Sequence, residues 1–359
     1  MKIRLTTAAV QQQSFNGMHR KRSWFGASIL ALSISSGIGN AGCVMTTPTS
    51  QQIQTSHSHI RPATLQEEIP DKLKTETPPD PLITIVGIEM HKSQLDALNK
   101  LASDNTGNEN LELQEILNKI KVKDGYVLEL DLGETAVKNI SALVNFNNLE
   151  KLNLKAAYVM NISALANLTM LQELDLSWTG VSDISALINL TNLQSLRLNR
   201  TNVTNGSIFS ALAKLTNLQS LNLDSTQISN IRVLTNLTKL QWLGLNDTRV
   251  SDISALANLT MLQGLGLIRT GVSDISALAN LTMLQSLGLS RTWVSDISAL
   301  INLTELRALN LDDCNQIRDF SILVKLTKLH NLDVRGTQIS KKQLEVLRKM
   351  PNLESLSPY

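Results

Sequence analysis

The sequence predicts an α/β solenoid, a stack of short units that each pair one strand with a turn-rich return. Three observations predict it. A 22-residue string recurs almost verbatim: VSDISALINLTNLQSLRLNRTN at 181–202, VSDISALANLTMLQGLGLIRTG at 250–271 and VSDISALANLTMLQSLGLSRTW at 272–293. Self-similarity at so short a period means that no unit buries its own apolar edge, so neighbours stack in a line. Aromatic residues make up only 3% of the chain, so the core has to be built from aliphatic ladders. Gly and Pro, at 17 and 8, are too few for collagen or a long low-complexity chain.

The amino end obeys different rules. Residues 1–43 hold the cluster His19-Arg20-Lys21-Arg22, an apolar run from Trp24 to Ile34, and then SSGIGNAGC. A basic region, a short apolar region and a small-residue exit are the three parts of a secretory signal, and the apolar run is too short to span a bilayer. Met18 stands just ahead of the basic cluster, where a start would give a leader of ordinary length. Cleavage is expected after Ala41, with Gly39 and Ala41 at the small-residue positions. NAGC also resembles the bacterial lipoprotein signal, in which the cysteine is lipidated and becomes the new amino terminus. Asn40 stands where that pattern carries an aliphatic residue. The resemblance implies a lipid anchor at Cys43, the one route to a membrane, as the alternative to release. Either way the chain is expected outside the cytoplasm, secreted or held at the cell envelope.

Export changes the charge balance. The chain has 33 basic and 31 acidic residues; losing residues 1–41 removes Lys2, Arg4, Arg20, Lys21 and Arg22 and no acid, leaving 28 against 31. No basic stripe remains to suggest a nucleic-acid partner. Residues 44–82 carry six of the eight prolines, at 48, 62, 70, 78, 79 and 81, among Thr, Ser and Gln. Such a composition cannot offset ordering entropy by burial, so the segment is expected to be a disordered linker. Two imidazoles in it, His57 and His59, are too sparse a set for a metal site.

Apolar periodicity resumes in residues 83–126, which predict a helical amino-terminal cap. Leu95, Leu98, Leu101 and Ala102 form one face after Ser93, and Leu113, Ile116, Leu117 and Ile120 form another after Asn110. A solenoid needs such a lid, because its first unit would otherwise expose its core.

Ten units fill residues 127–352, with LxxLxL starting at Val127, Leu149, Leu171, Leu193, Leu218, Leu240, Leu262, Leu284, Leu306 and Leu329; residues 353–359 are a stub. LxxLxL reads as a strand with alternating faces. The following apolar residues, as in Val272, Ile275 and Leu278, read as a turn and short helical return. The ninth position is usually Thr (135, 179, 201, 226, 248, 270, 292 and 337), where a hydroxyl can serve the buried backbone leaving the strand. Cys314 and Ala157 share that slot, so Cys314 is read as structural, and no disulfide with Cys43 is expected.

This register closely resembles the leucine-rich repeats of the bacterial internalin-like class, also called the 22-residue or SDS22-like class, over residues 127–352. The resemblance implies a curved, right-handed leucine-rich repeat stack with a parallel β-sheet on its concave face and short 3-10 or helical segments on its convex face. It also implies a protein or peptide ligand on the concave face. After SLSPY nothing corresponds to the immunoglobulin-like module that usually follows internalin repeats, which puts host-cell invasion in doubt and leaves adhesion or a host- or cell-surface interaction as the role the resemblance implies.

Function is expected in the variable positions. The first units offer Glu129, Asp131, Glu134, Lys151, Lys155, Glu173 and Asp175, an acid-rich start, before Arg197 and Arg200 reverse the sign. The centre offers Trp242, Ser286 and Gly244, Gly264, Gly266 and Gly288, with Arg269 and Arg291 at matching positions; Trp178 and Trp293 stand near the edge. Trp and Arg are the usual interface anchors, and strand glycines let a partner's backbone approach. The candidate partner site is therefore Arg197, Arg200, Trp242, Arg269, Arg291, Trp178 and Trp293. Asp183, Asp252, Asp274 and Asp296 precede ISAL and read as caps of a helical turn rather than a calcium ladder. The repeated NLT tripeptides, from Asn167 to Asn302, match a glycosylation acceptor only formally. His330 is the sole histidine of the repeats, with no nucleophile or metal-ligand motif around it, so neither enzyme activity nor a cofactor is expected. A monomer is expected. The rival readings are an intracellular phosphatase-regulator-like scaffold and a structural envelope spacer without a ligand.

Overall fold

The computed structural model describes residues 80–105 and 111–358. The signal region, Cys43 and most of the linker lie outside them. All described elements belong to one compact unit, Thr75–Tyr359.

A hairpin opens the unit: β1 (Leu82–Ile85) pairs antiparallel with β2 (Ile88–His91). Helices α1 (Lys92–Ser103) and α2 (Leu113–Leu117) follow, then β3 (Ile120–Lys123), which runs antiparallel to β4 (Tyr126–Asp131). The cap is thus mixed rather than wholly helical, and Ile120, read as the end of the second helical face, starts a strand instead. Its neighbours decide this. Pairing with β4 becomes available at the edge of the sheet, and a five-residue helix has too few internal hydrogen bonds to compete. Gln94 ties the cap to the stack, its Oε1 accepting from the Val127 N–H at 3.3 Å and its Nε2 donating to the Asn145 carbonyl at 3.1 Å.

From β4 onward every strand pairing is parallel. β5 (Lys151–Asn153), β6 (Glu173–Asp175), β7 (Ser195–Arg197), β8 (Ser220–Asn222), β9 (Trp242–Gly244), β10 (Gly264–Gly266), β11 (Ser286–Gly288), β12 (Ala308–Asn310), β13 (Asn331–Asp333) and β14 (Ser355–Ser357) complete a twelve-stranded sheet in sequence order. The result is a curved solenoid with the sheet on its concave side. Register follows the motif: Leu265 lies between Leu243 and Leu287, and the three leucines of each LxxLxL are buried, as at 262, 265 and 267.

The convex return is a single 3-10 turn in most units, because only two residues lie between one anchoring side chain and the next. Leu278 donates to the Ile275 carbonyl at 2.9 Å while Val272, Ile275, Leu278 and Leu281 are all buried. Extra residues lengthen this turn. The insertion at Asn205–Ser207 opens α3 (Asn205–Leu212), and the 24-residue last unit forms α4 (Lys341–Leu347). Ser340 and Gln343 cap α4 reciprocally, the serine hydroxyl accepting from the Gln343 N–H at 3.2 Å and the Gln343 Oε1 from the Ser340 N–H at 2.9 Å.

Position nine works as its chemistry suggests. Thr270 Oγ1 donates to the Leu267 carbonyl at 2.6 Å, and the other threonines of the column bond the same carbonyl of their own units. Cys314 keeps the slot but changes partner: its Sγ donates to Leu289 of the preceding unit at 3.0 Å. It is fully buried, and burial pushes its thiol pKa up, which opposes thiolate formation.

Position eight shows a feature that periodicity does not display. Glu134, Ala156, Trp178, Arg200, Ser225, Asp247, Arg269, Arg291 and Asp313 all have φ between 52° and 61°, the left-handed region unfavourable to side chains. Each turn is held by the next unit, as where the Arg269 N–H donates to the Ser290 carbonyl at 2.9 Å. Stacking therefore stabilises a bend that an isolated unit would resist.

The aspartates before ISAL cap the 3-10 turns. Asp252, Asp274 and Asp296 accept from the N–H of Ser254, Ser276 and Ser298 at 2.8–2.9 Å. These bonds lower the three carboxyl pKa values. A depressed folded-state pKa gives stability that is present above the unfolded value, about 3.9, and lost as pH falls through the folded value. The urea midpoint is accordingly expected to drop as pH falls below about 4. Asn at 252, 274 and 296 should flatten that drop while leaving neutral-pH stability nearly unchanged, since Asn139, Asn161 and Asn230 make the same cap elsewhere.

Candidate functional site

The solvent side of the sheet divides into two halves of different chemistry. Over β3–β7 the outward positions are mostly charged, Asn153 and Ser195 being the exceptions on β5 and β7. Lys121, Glu129, Asp131, Lys151, Glu173, Asp175 and Arg197 line a groove of about 320 Å³ together with Lys119. The signs interleave through ion pairs across units: Lys121–Glu129 at 3.1 Å, Lys151–Glu173 at 2.8 Å and Arg197–Asp175 at 3.5 Å. The acid-rich start is therefore a neutralised lattice, to which β3 of the cap contributes Lys121. Lys119 and Lys121 were not singled out from the sequence, because only the antiparallel pairing of β3 with β4 carries them onto this face.

Over β8–β11 the outward positions are Ser220, Asn222, Trp242, Gly244, Gly264, Gly266, Ser286 and Gly288, none of them charged. Three of these glycines lie under neighbouring side chains. Trp242 Cε3 and Cζ3 come within 2.0 and 2.1 Å of where a Cβ on Gly264 would stand; the Oδ1 atoms of Asp224 and Asn222 come within 2.7 and 2.9 Å of that point on Gly244, and the Asn246 amide within 2.6 Å of it on Gly266. The space read from the sequence as free for a partner's backbone is filled by this chain's own side chains.

Those side chains form a ladder. Asn222 Oδ1 accepts from the Asp224 N–H at 2.8 Å, Asp224 Oδ1 from the Asn246 N–H at 2.7 Å, and Asn246 Oδ1 from the Ile268 N–H at 2.8 Å; Asn246 Nδ2 donates to Asp224 Oδ2 at 3.2 Å. Burial raises the Asp224 pKa against these hydrogen bonds, which lower it. Position seven, which supplies Asp224 and Asn246, directly follows the third leucine of the motif, and neither residue was singled out from the sequence. The polar residues there were the available signal.

The structure separates the seven residues singled out from the sequence. Arg197 and Trp242 lie on the sheet face, Trp242 with 48% of its surface exposed. Trp178, Arg200, Arg269 and Arg291 occupy the position-eight bends along one rim, and Trp293 follows two residues after Arg291. The rim arginines have local partners. Arg200 stacks on Trp178 at 4.1 Å, Arg269 pairs with Asp247 at 3.2 Å and Arg291 with Asp313 at 2.9 Å. Trp178 and Trp293 remain exposed, as do Tyr158 and Met160 near Trp178's end of the stack. Among the described residues no group of three or more His, Cys, Asp or Glu is placed to hold a metal ion.

A family model for leucine-rich repeats in two copies matches residues 282–325. No curated protein sequence matches the chain significantly. Among solved structures, an internalin (inlF) of Listeria monocytogenes is 28% identical, covering 74% of this chain and 88% of its own, with a TM-score of 0.54. Internalin C2 of the same species is 33% identical, covering 61% of this chain and 92% of its own, with a TM-score of 0.51. A leucine-rich repeat protein of Leptospira interrogans, 22% identical over 64% of this chain and 60% of its own, shares the fold with a TM-score of 0.59. Repeat register, sheet topology and these likenesses agree: the chain belongs to the leucine-rich repeat proteins and is related to the bacterial internalins.

Proposed function

We propose that the chain is an exported binding protein of the 22-residue, SDS22-like branch, taking a protein or peptide-like partner on its concave face. One contrast carries this reading. The convex returns repeat nearly verbatim, whereas the concave positions of β3–β7 change from unit to unit and present a groove of alternating sign. Core burial explains the repeated leucines but asks nothing of the outward positions. Kinship with internalins, for which concave-face protein binding is the implied mode, supports the same conclusion. Trp178 and Arg200 would form a rim beside that groove, and Arg269, Arg291 and Trp293 would continue the rim past β10 and β11. Interleaved charges of this kind fix orientation and association rate more than affinity.

Partner capture from culture medium, envelope or host extracts tests the reading with three forms of the chain. These are the wild type, a face variant (Lys151→Glu with Arg197→Glu) and a rim variant (Trp178, Arg200, Arg269 and Arg291 to Ala). The face variant is expected to bind more slowly and with altered salt dependence, and loss of a desolvated rim anchor to cost about 2 kcal/mol or more. A partner held equally by all three forms would exclude both surfaces. Intact-mass measurement of the native protein addresses export: a chain starting after Ala41, or at Cys43 with a lipid increment, is expected. A cytosolic chain retaining residues 18–41 would favour the phosphatase-regulator-like scaffold instead. An envelope phenotype that needs only the number of repeats, with no partner, would favour the spacer.

A further inference from the structure

We infer that the convex side of the last two units, formed by α4 and the 3-10 turn Ser321–Lys325, docks on an anionic lipid surface, its cations meeting headgroup phosphates while Val324 and Val346 enter the interface. This contact is independent of any lipid on Cys43 and of the concave-face partner, so each can fail while the others stand.

Three observations carry it. Charge is segregated along the chain: residues 318–359 hold 8 basic and 4 acidic residues, against 17 and 23 in residues 80–317. The overall balance conceals this. Four earlier convex returns read VSDISAL, each with a capping aspartate (183, 252, 274 or 296) and no cation, so the last two units depart from the pattern. The second observation is that most of these cations are unpaired. Lys328 and Arg335 are taken up by Glu305, Asp312 and Asp333. Lys325, Lys341, Lys342, Arg348 and Lys349 are exposed and make no ion pair or side-chain hydrogen bond among the described residues.

The third observation is position. α4 buries Leu344 and Leu347, which turns Lys342, Glu345 and Lys349, at spacings of three and four residues, to the solvent side. Lys341 and Arg348 flank them, and the helix packs beside the turn that carries Lys325. Glu345 is the one acid of α4. Val324 and Val346 stand among the cations with 37% and 48% of their surface exposed. A convex surface cannot enclose an acidic peptide or offer the pockets that peptide recognition uses. A bilayer needs neither. Its anionic headgroups attract basic residues over a broad area, and shallow aliphatic side chains add apolar burial.

The test follows hydrogen exchange of the full chain on vesicles of phosphatidylcholine, alone or with about 30% phosphatidylglycerol. Exchange locates the contact, so anything the amino end contributes falls outside the footprint. Protection of residues 321–325 and 341–349 is expected on the anionic vesicles alone, and should fade between about 0.1 M and about 0.5 M salt. Lys341→Gln, Lys342→Gln and Lys349→Gln together should raise the lipid concentration for half-protection about 100-fold, at the usual contribution per cation. A control with Lys92→Gln, Lys123→Gln and Lys214→Gln has the same net charge and should behave as the wild type does. Val346→Ser should weaken the contact about threefold. All the substituted side chains are exposed, so the fold is retained, which circular dichroism verifies. Absent protection on anionic vesicles, equal loss in the two triple variants, wild-type behaviour of Val346→Ser, or the same footprint from soluble polyglutamate would overturn the assignment.

Discussion

Leu265→Ala is expected to destabilise the centre of the stack by about 2–5 kcal/mol and to loosen the units on either side of it. Leu265 is 1% exposed and sits in strand register between Leu243 and Leu287. Removing its side chain leaves a cavity lined by those neighbours, and a unit has no other support than the two that flank it. Hydrogen exchange should therefore show lost protection across residues 240–261 and 284–305 as well as in the substituted unit. Loss confined to the substituted residue would contradict nearest-neighbour support. A surface control such as Ser273→Ala should leave all three units unchanged.

The second large effect is expected at the other end of the sheet. Asp333 is completely buried, and Arg335 reaches it with Nε at 2.9 Å from Oδ1, while Asp312 lies 3.9 Å from the same nitrogen. Arg335→Ala leaves a carboxylate buried with only the backbone N–H of residue 335 to meet it. Breaking a buried pair in this way costs about 3 kcal/mol, taken at the low end because the guanidinium itself is 44% exposed. Adding Asp333→Asn to Arg335→Ala should recover most of the loss. An asparagine at that strand position caps the same N–H in other units, as Asn310 does for Asp312 at 2.9 Å. Urea unfolding followed by hydrogen exchange in residues 306–358 measures both variants. Equal stability of the single and double variants would show that the ion pair, and not the buried charge, sets the cost.

Much of the fold was legible in the sequence because its rules are local. Leu262, Leu265 and Leu267 face the core in any strand that follows LxxLxL, and the motif's period sets which residue stacks on which. The threonine column and the aspartates before ISAL were legible for the same reason, since each serves a backbone group two or three residues away. The cap was less so. Ile120 continues a helical spacing from Leu113, and nothing within that segment reveals that β4 offers a pairing partner. Tertiary pairing overrode a short helical pattern.

The candidate site was legible in position and not in contact. Matching register places Arg269 beside Asp247 and Arg291 beside Asp313, yet both arginines were first read as free anchors, because a column of residues does not say which way a side chain leans. The glycines at 244, 264 and 266 show this most clearly. In the sequence they are gaps in a strand; in the structure they are the spaces into which Asp224, Trp242 and Asn246 fold. By itself, then, the sequence determined the repeat, its register, its aliphatic core and the slots that satisfy its buried backbone, since each depends on a short and recurring spacing. Only the tertiary structure decided the neutralisation of the charged groove, the left-handed bends of the rim and the covering of the glycines. Those depend on side-chain directions and on contacts between neighbouring units, which spacing along the chain does not encode.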